Sequence, residues 1–327
     1  QGRRIFGGIV FVGNYEISQR YKGPGFDPVR AGGIHLETVV EKNDVLFQID
    51  MHLKKNSPKG IAINKIPIRR AGELFGIVHF VFFSPEDLNI IKEGPAGRRR
   101  FIDLELSQLD KVYLSNLSNY NRIINQRNSL LKEIVYQKDL IDTLDIWDMQ
   151  LAEYGTKIIE RRKKFIDEVN RIIGGIHEKL TGGRENIELS YESSAGELSM
   201  EEMLRKNRER DIRFKSTSAG PHRDDLCFRV GDLDIRKFGS QGQQRTAALS
   251  LKLSEIELVK MLIHDTPILL LDDVLSELDK NRQNYLLDSI HDIQTVITCT
   301  GLDEFVNHRF SINKIFYVKN GTVAKEN

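Results

Sequence analysis

Between residues 35 and 83 the chain alternates short apolar runs with polar turns. Val39-Val40, residues 45–49, 61–63 and 66–68, and the stronger run 78–83 read as strands. Between them lie turns such as Lys42-Asn43-Asp44 and Asn56-Ser57-Pro58-Lys59-Gly60. Ser84-Pro85-Glu86-Asp87 then reads as a helix start, with Ser as cap, Pro at the first helical position and acids in the first turn. Over residues 107–180 the period becomes helical. Leu109, Val112, Tyr113, Leu117 and Tyr120 form one apolar stripe, and Leu151, Tyr154, Ile158, Phe165, Val169 and Ile173 form another. Two long amphipathic helices without a proline predict an antiparallel helical arm, which Thr181-Gly182-Gly183 ends. Residues 187–191 and 226–236 are β-like, and 200–210 read as a charged helix.

The final third alternates helix and strand. Residues 247–264 are helical, 267–271 a strand, 279–291 a helix, 294–299 a strand, 302–306 a short helix and 314–318 a strand. Such alternation predicts a parallel sheet with crossover helices, so the fold class is α/β. Residues 1–34 differ from the rest. They are dense in Gly and Pro, only residues 9–12 look like a strand, and loop or weak order is expected.

The chemistry concentrates in Pro267-Ile268-Leu269-Leu270-Leu271-Asp272-Asp273, followed by Ser276-Glu277-Leu278-Asp279. A wholly apolar run bounded by Pro reads as a strand buried on both faces. Two carboxylates at its carboxyl end are costly unless something there needs them. In open α/β sheets that end is where ligands bind, and Mg²⁺ takes carboxylates together with phosphate oxygens. The plainer reading is a buried strand ending in a helix cap at Asp273. Upstream stands Gly239-Ser240-Gln241-Gly242-Gln243-Gln244-Arg245, ahead of a long apolar-periodic run. Ser or Gly starts that helix, and its first-turn N–H groups suit a phosphate; taken alone, the stretch is also a polar loop capping a surface helix.

Two basic clusters stand out. Arg98-Arg99-Arg100 follows Gly94-Pro95-Ala96-Gly97. Three guanidiniums at a helix start oppose the helix dipole, so an anion, nucleotide or DNA phosphate, is one reading. A solvated cluster paired with Asp103 and Glu105 is the other. For Arg161-Arg162-Lys163-Lys164 a solvated helix face is expected rather than a DNA contact.

Composition narrows the picture. Basic and acidic residues nearly cancel, 48 against 47, so a DNA site would be a local patch. At 327 residues the chain can bury a large core and is expected to hold two domains. No apolar run approaches a membrane span, and no leader pattern opens the chain, so no membrane association is expected. Cys227 and Cys299 lie far apart without metal spacing and read as buried free thiols of a reducing cytosol.

Together, residues 239–245, 267–273 and 276–279 resemble the signature motif, Walker B strand and D-loop of ABC-type ATPases. Within that superfamily, Ser218-Ala219-Gly220-Pro221-His222-Arg223-Asp224-Asp225 and Phe83-Ser84-Pro85-Glu86-Asp87-Leu88 resemble the RecF family, from about His35 to the C-terminus. The resemblance implies an ABC-type ATPase head with a mixed or parallel sheet and an inserted α-helical arm. The head would take its β-rich part from 35–106 and the remainder from 184–327, with the arm at 107–183 and residues 1–34 outside the family pattern. It implies ATP and Mg²⁺ as cofactors, with Asp272 orienting Mg²⁺ through water and Asp273 polarising the attacking water. Most relatives carry Glu at the second position, so slow hydrolysis is expected. Ser240 and Gly242, with Gln243 and Gln244 beside them, would reach nucleotide held by a partner subunit. Ser276 and Asp279 would line the dimer seam, and Ser84 and Glu86 stand at the Q-loop position. At the switch position, where many relatives carry His, this chain has Thr300. The implied function is ATP-dependent binding to single-stranded or gapped double-stranded DNA as an ATP-dependent homodimer. It would load recombinase with RecO- and RecR-type mediators in gap repair and the SOS response, in the cytoplasm at the nucleoid.

The chain departs from this pattern at its start. A P-loop needs G-x-x-x-x-G-K-[ST], and no such string occurs in the sequence. Where the family motif ends Gln-Gly-Lys-Thr, this chain has Gln1-Gly2-Arg3-Arg4. A planar guanidinium does not replace the compact Lys ammonium, so ATP binding by this chain is expected to be impaired. A first segment out of frame, rejoining the family near His35, accounts for this. The alternative is a degenerate ABC-type or SMC-like protein with a structural DNA-binding role and no ATPase activity. No role for His222 or Arg223 follows from the sequence.

Overall fold

The structure is a computed structural model. It describes residues 7–12, 34–42, 45–54, 56–264, 266–299, 314–319 and 322–325. The expectations placed on the rest of 1–34, on Thr300 and on the helix at 302–306 lie outside the described residues.

The chain runs through strands β1 (Gly7–Val12), β2 (Ile34–Lys42), β3 (Val45–Leu53), β4 (Gly60–Ile63), β5 (Ile66–Ile68) and β6 (Phe80–Phe83). Helices α1 (Pro95–Leu109), α2 (Lys111–Glu133) and α3 (Leu144–Thr181) follow. Next come β7 (Ile187–Glu192), α4 (Met200–Phe214), β8 (Asp225–Val230), β9 (Leu233–Asp234), the short α5 (Ile235–Phe238) and α6 (Gln241–Ile263). The chain continues as β10 (Ile268–Asp272), α7 (Lys280–Ser289), β11 (Thr295–Cys299), β12 (Lys314–Lys319) and β13 (Thr322–Lys325). It forms two compact units, one of residues 1–84 with 263–327 and one of residues 85–262.

The first unit holds two sheets. Six strands lie in the order β13-β12-β1-β11-β10-β6. β6, β10 and β11 are parallel, whereas β1 runs antiparallel to both β11 and β12. The mixed sheet is the expected α/β class, and α7 is the crossover between β10 and β11. The apolar run of β10 is fully buried on one face only: Leu269 and Leu271 are inaccessible, while Ile268 and Leu270 on the other face are half-buried, which corrects the reading of burial on both faces. The second sheet, β2-β3-β4-β5, is antiparallel throughout.

The second unit is mostly helical. Asp110 caps α2 by accepting from Val112 N and Tyr113 N, and Gly182 closes α3 at φ 65° in the left-handed region that glycine tolerates. Ser199 and Glu202 form a reciprocal capping box on α4. The two long helices expected over 107–180 are present as α2 and α3, and α1 precedes them from Pro95. The β-like reading of 226–236 also needs correction. The strands end at Asp234, whose side chain accepts from Arg236 N and turns the chain into α5.

Candidate functional site

The three parallel strands of the first unit bring the sequence-predicted carboxylates to one edge. Leu271 pairs with Phe83 and Asp272 with Thr298, so Ser84, Asp272-Asp273 and the end of β11 share the carboxyl edge of β6, β10 and β11. Asp272 is exposed there, and Thr298 Oγ1 donates to its Oδ1 at 2.5 Å. Asp273 N–H donates both to Thr298 O at 3.0 Å and to Thr298 Oγ1 at 3.1 Å. These bonds hold Asp273 at φ 52°, ψ 17°, a left-handed conformation that a residue with a Cβ rarely adopts. Its Oδ1 is buried and has no hydrogen-bond partner among the described residues. An exposed carboxylate beside a half-buried one with one unpartnered oxygen is a donor set that fits a hard cation and its water. Thr298, which holds both acids, went unrecognised in the sequence; its only signal there was a hydroxyl inside an apolar strand.

Beyond the edge the chain turns tightly. Ser276 Oγ donates to Asp273 O at 2.7 Å, and Asp279 caps α7 by accepting from Arg282 N while pairing with Arg282 Nη1 at 2.6 Å. Both residues are exposed. Ser84 is buried and Glu86 exposed.

The signature residues belong to the second unit. Ser240 N–H donates to Gln243 Oε1, and Gln243 N–H donates to Ser240 Oγ, a capping box at the start of α6. Ser240 keeps its own hydroxyl proton to give. Among the described residues a Cβ on Gly242 would meet only Ser240 Oγ, at 3.9 Å, so their packing does not require glycine there. At Gly239 it does, because a Cβ would lie 2.6 Å from Ile235 O. Gln244 is corrected by the structure. It is buried, and its Nε2 is committed to Ile235 O at 2.8 Å, anchoring α5 rather than facing outward. Beside the helix start, a cavity of about 260 Å³ is lined by Thr181, Arg184, Glu185, Gln243 and Thr246. Arg184 is a cation that the motif reading missed.

The arginine clusters divide. Arg98 is buried, and it grips Asp225 with Nε at 2.7 Å and Nη2 at 2.9 Å. Its Nη1 donates to the carbonyls of Ile90, Ile91 and Glu93. It is therefore a structural clamp and not a phosphate contact. Arg99 is half-buried and donates to Asp224 O at 2.7 Å, and Arg100 is exposed. Both line a cavity of about 300 Å³ with Tyr120, Asn121, Arg162 and His222. The solvated face expected at 161–164 also splits. Lys163 and Lys164 are exposed, but Arg162 is buried between Asp103, the Tyr113 hydroxyl and Pro221 O.

Residues 218–225 are the hub of this unit. Gly220 has φ 132°, and a Cβ there would stand 2.5 Å from the Tyr120 hydroxyl, so only glycine fits. Asp224 accepts from Tyr191 Oη at 2.5 Å and from Ser194 N at 2.7 Å. His222, unexplained in the sequence, bridges Thr217 O and Tyr120 Oη at 3.1 and 2.7 Å. A carbonyl only accepts, so Nε2 carries the proton and Nδ1 accepts from the tyrosine. Burial pushes this imidazole down to about 4, against an ordinary value of 6.5. Above pH 6.5 the imidazole is neutral whether the chain is folded or not. Between 6.5 and 4 the unfolded chain binds the extra proton, so stability falls as pH falls. Unfolding midpoints measured between pH 7 and 5 are expected to drop for the natural chain and to flatten in His222→Gln. An unchanged slope would contradict this placement.

No family model matches the chain. The DNA replication and repair protein RecF of Agathobacter rectalis is 64% identical over 289 residues, covering 88% of this chain and 80% of that protein. The chain belongs to the RecF family. RecF of Clostridium perfringens is 46% identical over 280 residues, covering 84% of this chain and 77% of its own length. Among solved structures, the recombination mediator protein RecF in the RecFOR pathway, described as RecF-ATP, matches with a TM-score of 0.82. That match has 36% identity and covers 90% of this chain and 80% of that one. A second RecF structure, described as RecF-ATPrS, gives 0.81 at the same identity and coverage. The mixed α/β head with its long helices is thus the RecF fold. Among the described residues no helix is long and apolar enough to cross a membrane.

Proposed function

We propose that this chain performs the RecF role in DNA replication and repair. It would bind single-stranded or gapped double-stranded DNA under ATP control as a homodimer, and work with RecO- and RecR-type mediators to load recombinase. The observation that carries the proposal is the carboxyl edge of β10, where Asp273 is held left-handed with a buried oxygen unpartnered among the described residues and Asp272 stands exposed beside it. Asp272 and Asp273 would hold Mg²⁺ and its water, and the ion would supply charge neutralisation of the phosphates. Thr298 fixes Asp272, leaving the other carboxylate oxygen for the ion. Asp273 would polarise the attacking water, at a reach one methylene shorter than Glu gives. Ser240 and Gly242 would meet nucleotide held by the partner subunit, with Gln243 setting the helix start, and Ser276 and Asp279 would line the seam. The helices over 107–183 would serve as the arm, and Ser84 and Glu86 would stand at the Q-loop position. Arg99 and Arg100 remain the basic pair for DNA phosphate.

The sequence holds no G-x-x-x-x-G-K-[ST] string, so ATP binding by these 327 residues would be weak. Asp272→Asn tests the cation assignment. The amide still accepts from Thr298, so the fold is retained while the charge is lost. Mg²⁺-dependent ATP hydrolysis is expected to fall to the background rate in Asp272→Asn. Hydrolysis that persists unchanged would contradict the assignment.

A further inference from the structure

β2 and β3 carry a group of side chains that the nucleotide reading does not use. Their register pairs His35 with His52 and Glu37 with Asp50. The two-residue period of a strand places all four on one face. Ile49 and, on β4, Ile61 are buried on the opposite face, which leaves this face for polar groups. On the neighbouring strand Gly60 pairs with His52 and Ala62 with Asp50, so no large side chain crowds them.

The four groups are oriented toward one another. His35 Nδ1 lies 3.1 Å from His52 Nε2 and 3.2 Å from His52 Nδ1, over a ring whose centroid is 4.3 Å from its own at an angle of 51°. With Nδ1 against the His52 ring, His35 Nε2 faces Asp50 Oδ1 at 3.6 Å. Gln48 Nε2 donates to Glu37 Oε1 at 3.0 Å and steadies that carboxylate. One nitrogen of His35 and one oxygen each of Glu37 and Asp50 lie within 4.8 Å of one another. Glu37 and Asp50 are like charges directly opposite across two strands, a destabilising pair unless a cation lies between them.

We propose that His35, Glu37 and Asp50 form a divalent metal site on this ribbon, with His52 and Gln48 fixing the ligands from behind. An imidazole with two carboxylates suits Zn²⁺ or Mn²⁺ and disfavours Mg²⁺ or Ca²⁺, which prefer oxygen alone. Ligands about 2.1 Å from a shared ion stand no more than about 4.2 Å apart, so sub-ångström movement of the exposed His35 and the half-buried Glu37 and Asp50 closes the site. Water would fill the open positions. The ion would tie β2 to β3, and it is separate from the Mg²⁺ assigned to Asp272.

Calorimetric titration of the full chain with Zn²⁺ alone, and Mn²⁺ binding followed by electron paramagnetic resonance, test this. The chain has 8 histidines, so the readout is the change in stoichiometry between variants. His35→Ala is expected to remove one equivalent, and so is the shape-conserving Glu37→Gln/Asp50→Asn pair, which decides the matter should His35→Ala misfold. His52→Ala and Gln48→Ala are expected to keep the equivalent and weaken it by roughly 10- to 100-fold. Excess Mg²⁺ is expected not to displace it, and Asp272→Asn to leave it intact. Equal stoichiometry in the natural chain and the Glu37→Gln/Asp50→Asn variant, or no binding at millimolar metal, would overturn the proposal.

Discussion

Replacing Arg127 by alanine is expected to destabilise the helical unit by about 3–5 kcal/mol. Arg127 is fully buried on α2. Its Nε donates to Asp148 of α3 at 2.6 Å, and its Nη1 donates to Asp211 of α4 at 2.8 Å and to Thr217 Oγ1 at 2.9 Å. One guanidinium thus joins three helices and the strand-leading loop. Asp148 would retain Arg208 at 2.8 Å. Asp211, also fully buried, would keep only Ser218 N and lose its cation. The cost arises from that stranded carboxylate more than from the lost attraction. Arg127→Met with Asp211→Asn, which removes the charge pair together, is therefore expected to recover most of the stability. Denaturant unfolding followed by helical circular dichroism measures both. A loss under about 1 kcal/mol in Arg127→Ala would show that the network does not hold these helices together.

The strands and helices were largely legible because they rest on local periodicity. The run 267–273 reports its own strand and the burial of Leu269 and Leu271, though not the half-exposed face of Ile268 and Leu270, and the Ser240–Gln243 cap lies within one turn of sequence. Arginine roles were not legible. Arg98 and Asp225 are 127 residues apart, and nothing near Arg98 distinguishes a buried clamp from a phosphate ligand. Arg162 sits in a run of four cations, yet its position on α3 alone decides that it is buried while Lys163 and Lys164 are not. Thr298 acquires its role from register, since only the pairing of β10 with β11 sets it against Asp272. Gln244 reads as part of a phosphate-facing motif, but the helix turn points it at Ile235 O. Lys252 and Glu255 were likewise invisible. They form a buried pair at 2.6 Å in α6, and burial together with Glu255 holds the neighbouring Glu105 carboxyl well above its usual range.

The largest functional effect is expected from the phosphate cradle. Micromolar ATP binding requires about 8 kcal/mol. The start of α6 offers an anion at most about 2 kcal/mol through its dipole, and in the proposed reading Ser240 and Gly242 would act only on nucleotide already held by a partner. The carboxylates Asp272 and Asp273 do not attract phosphate by themselves. What supplies the remainder in P-loop proteins is a row of N–H groups and a Lys ammonium, and no string of that kind is present in the sequence. A chain in which residues 1–34 are replaced by a first strand and an intact phosphate loop is therefore expected to bind ATP in the micromolar range and to dimerise with it. The most direct measurement is equilibrium binding of labelled ATP, paired with sedimentation with and without nucleotide, on the 327-residue chain and on the chain so altered. The expected result is binding and ATP-dependent dimerisation in the altered chain and neither in the other. Micromolar ATP binding by the 327-residue chain would contradict the account and assign a phosphate site to residues 1–34.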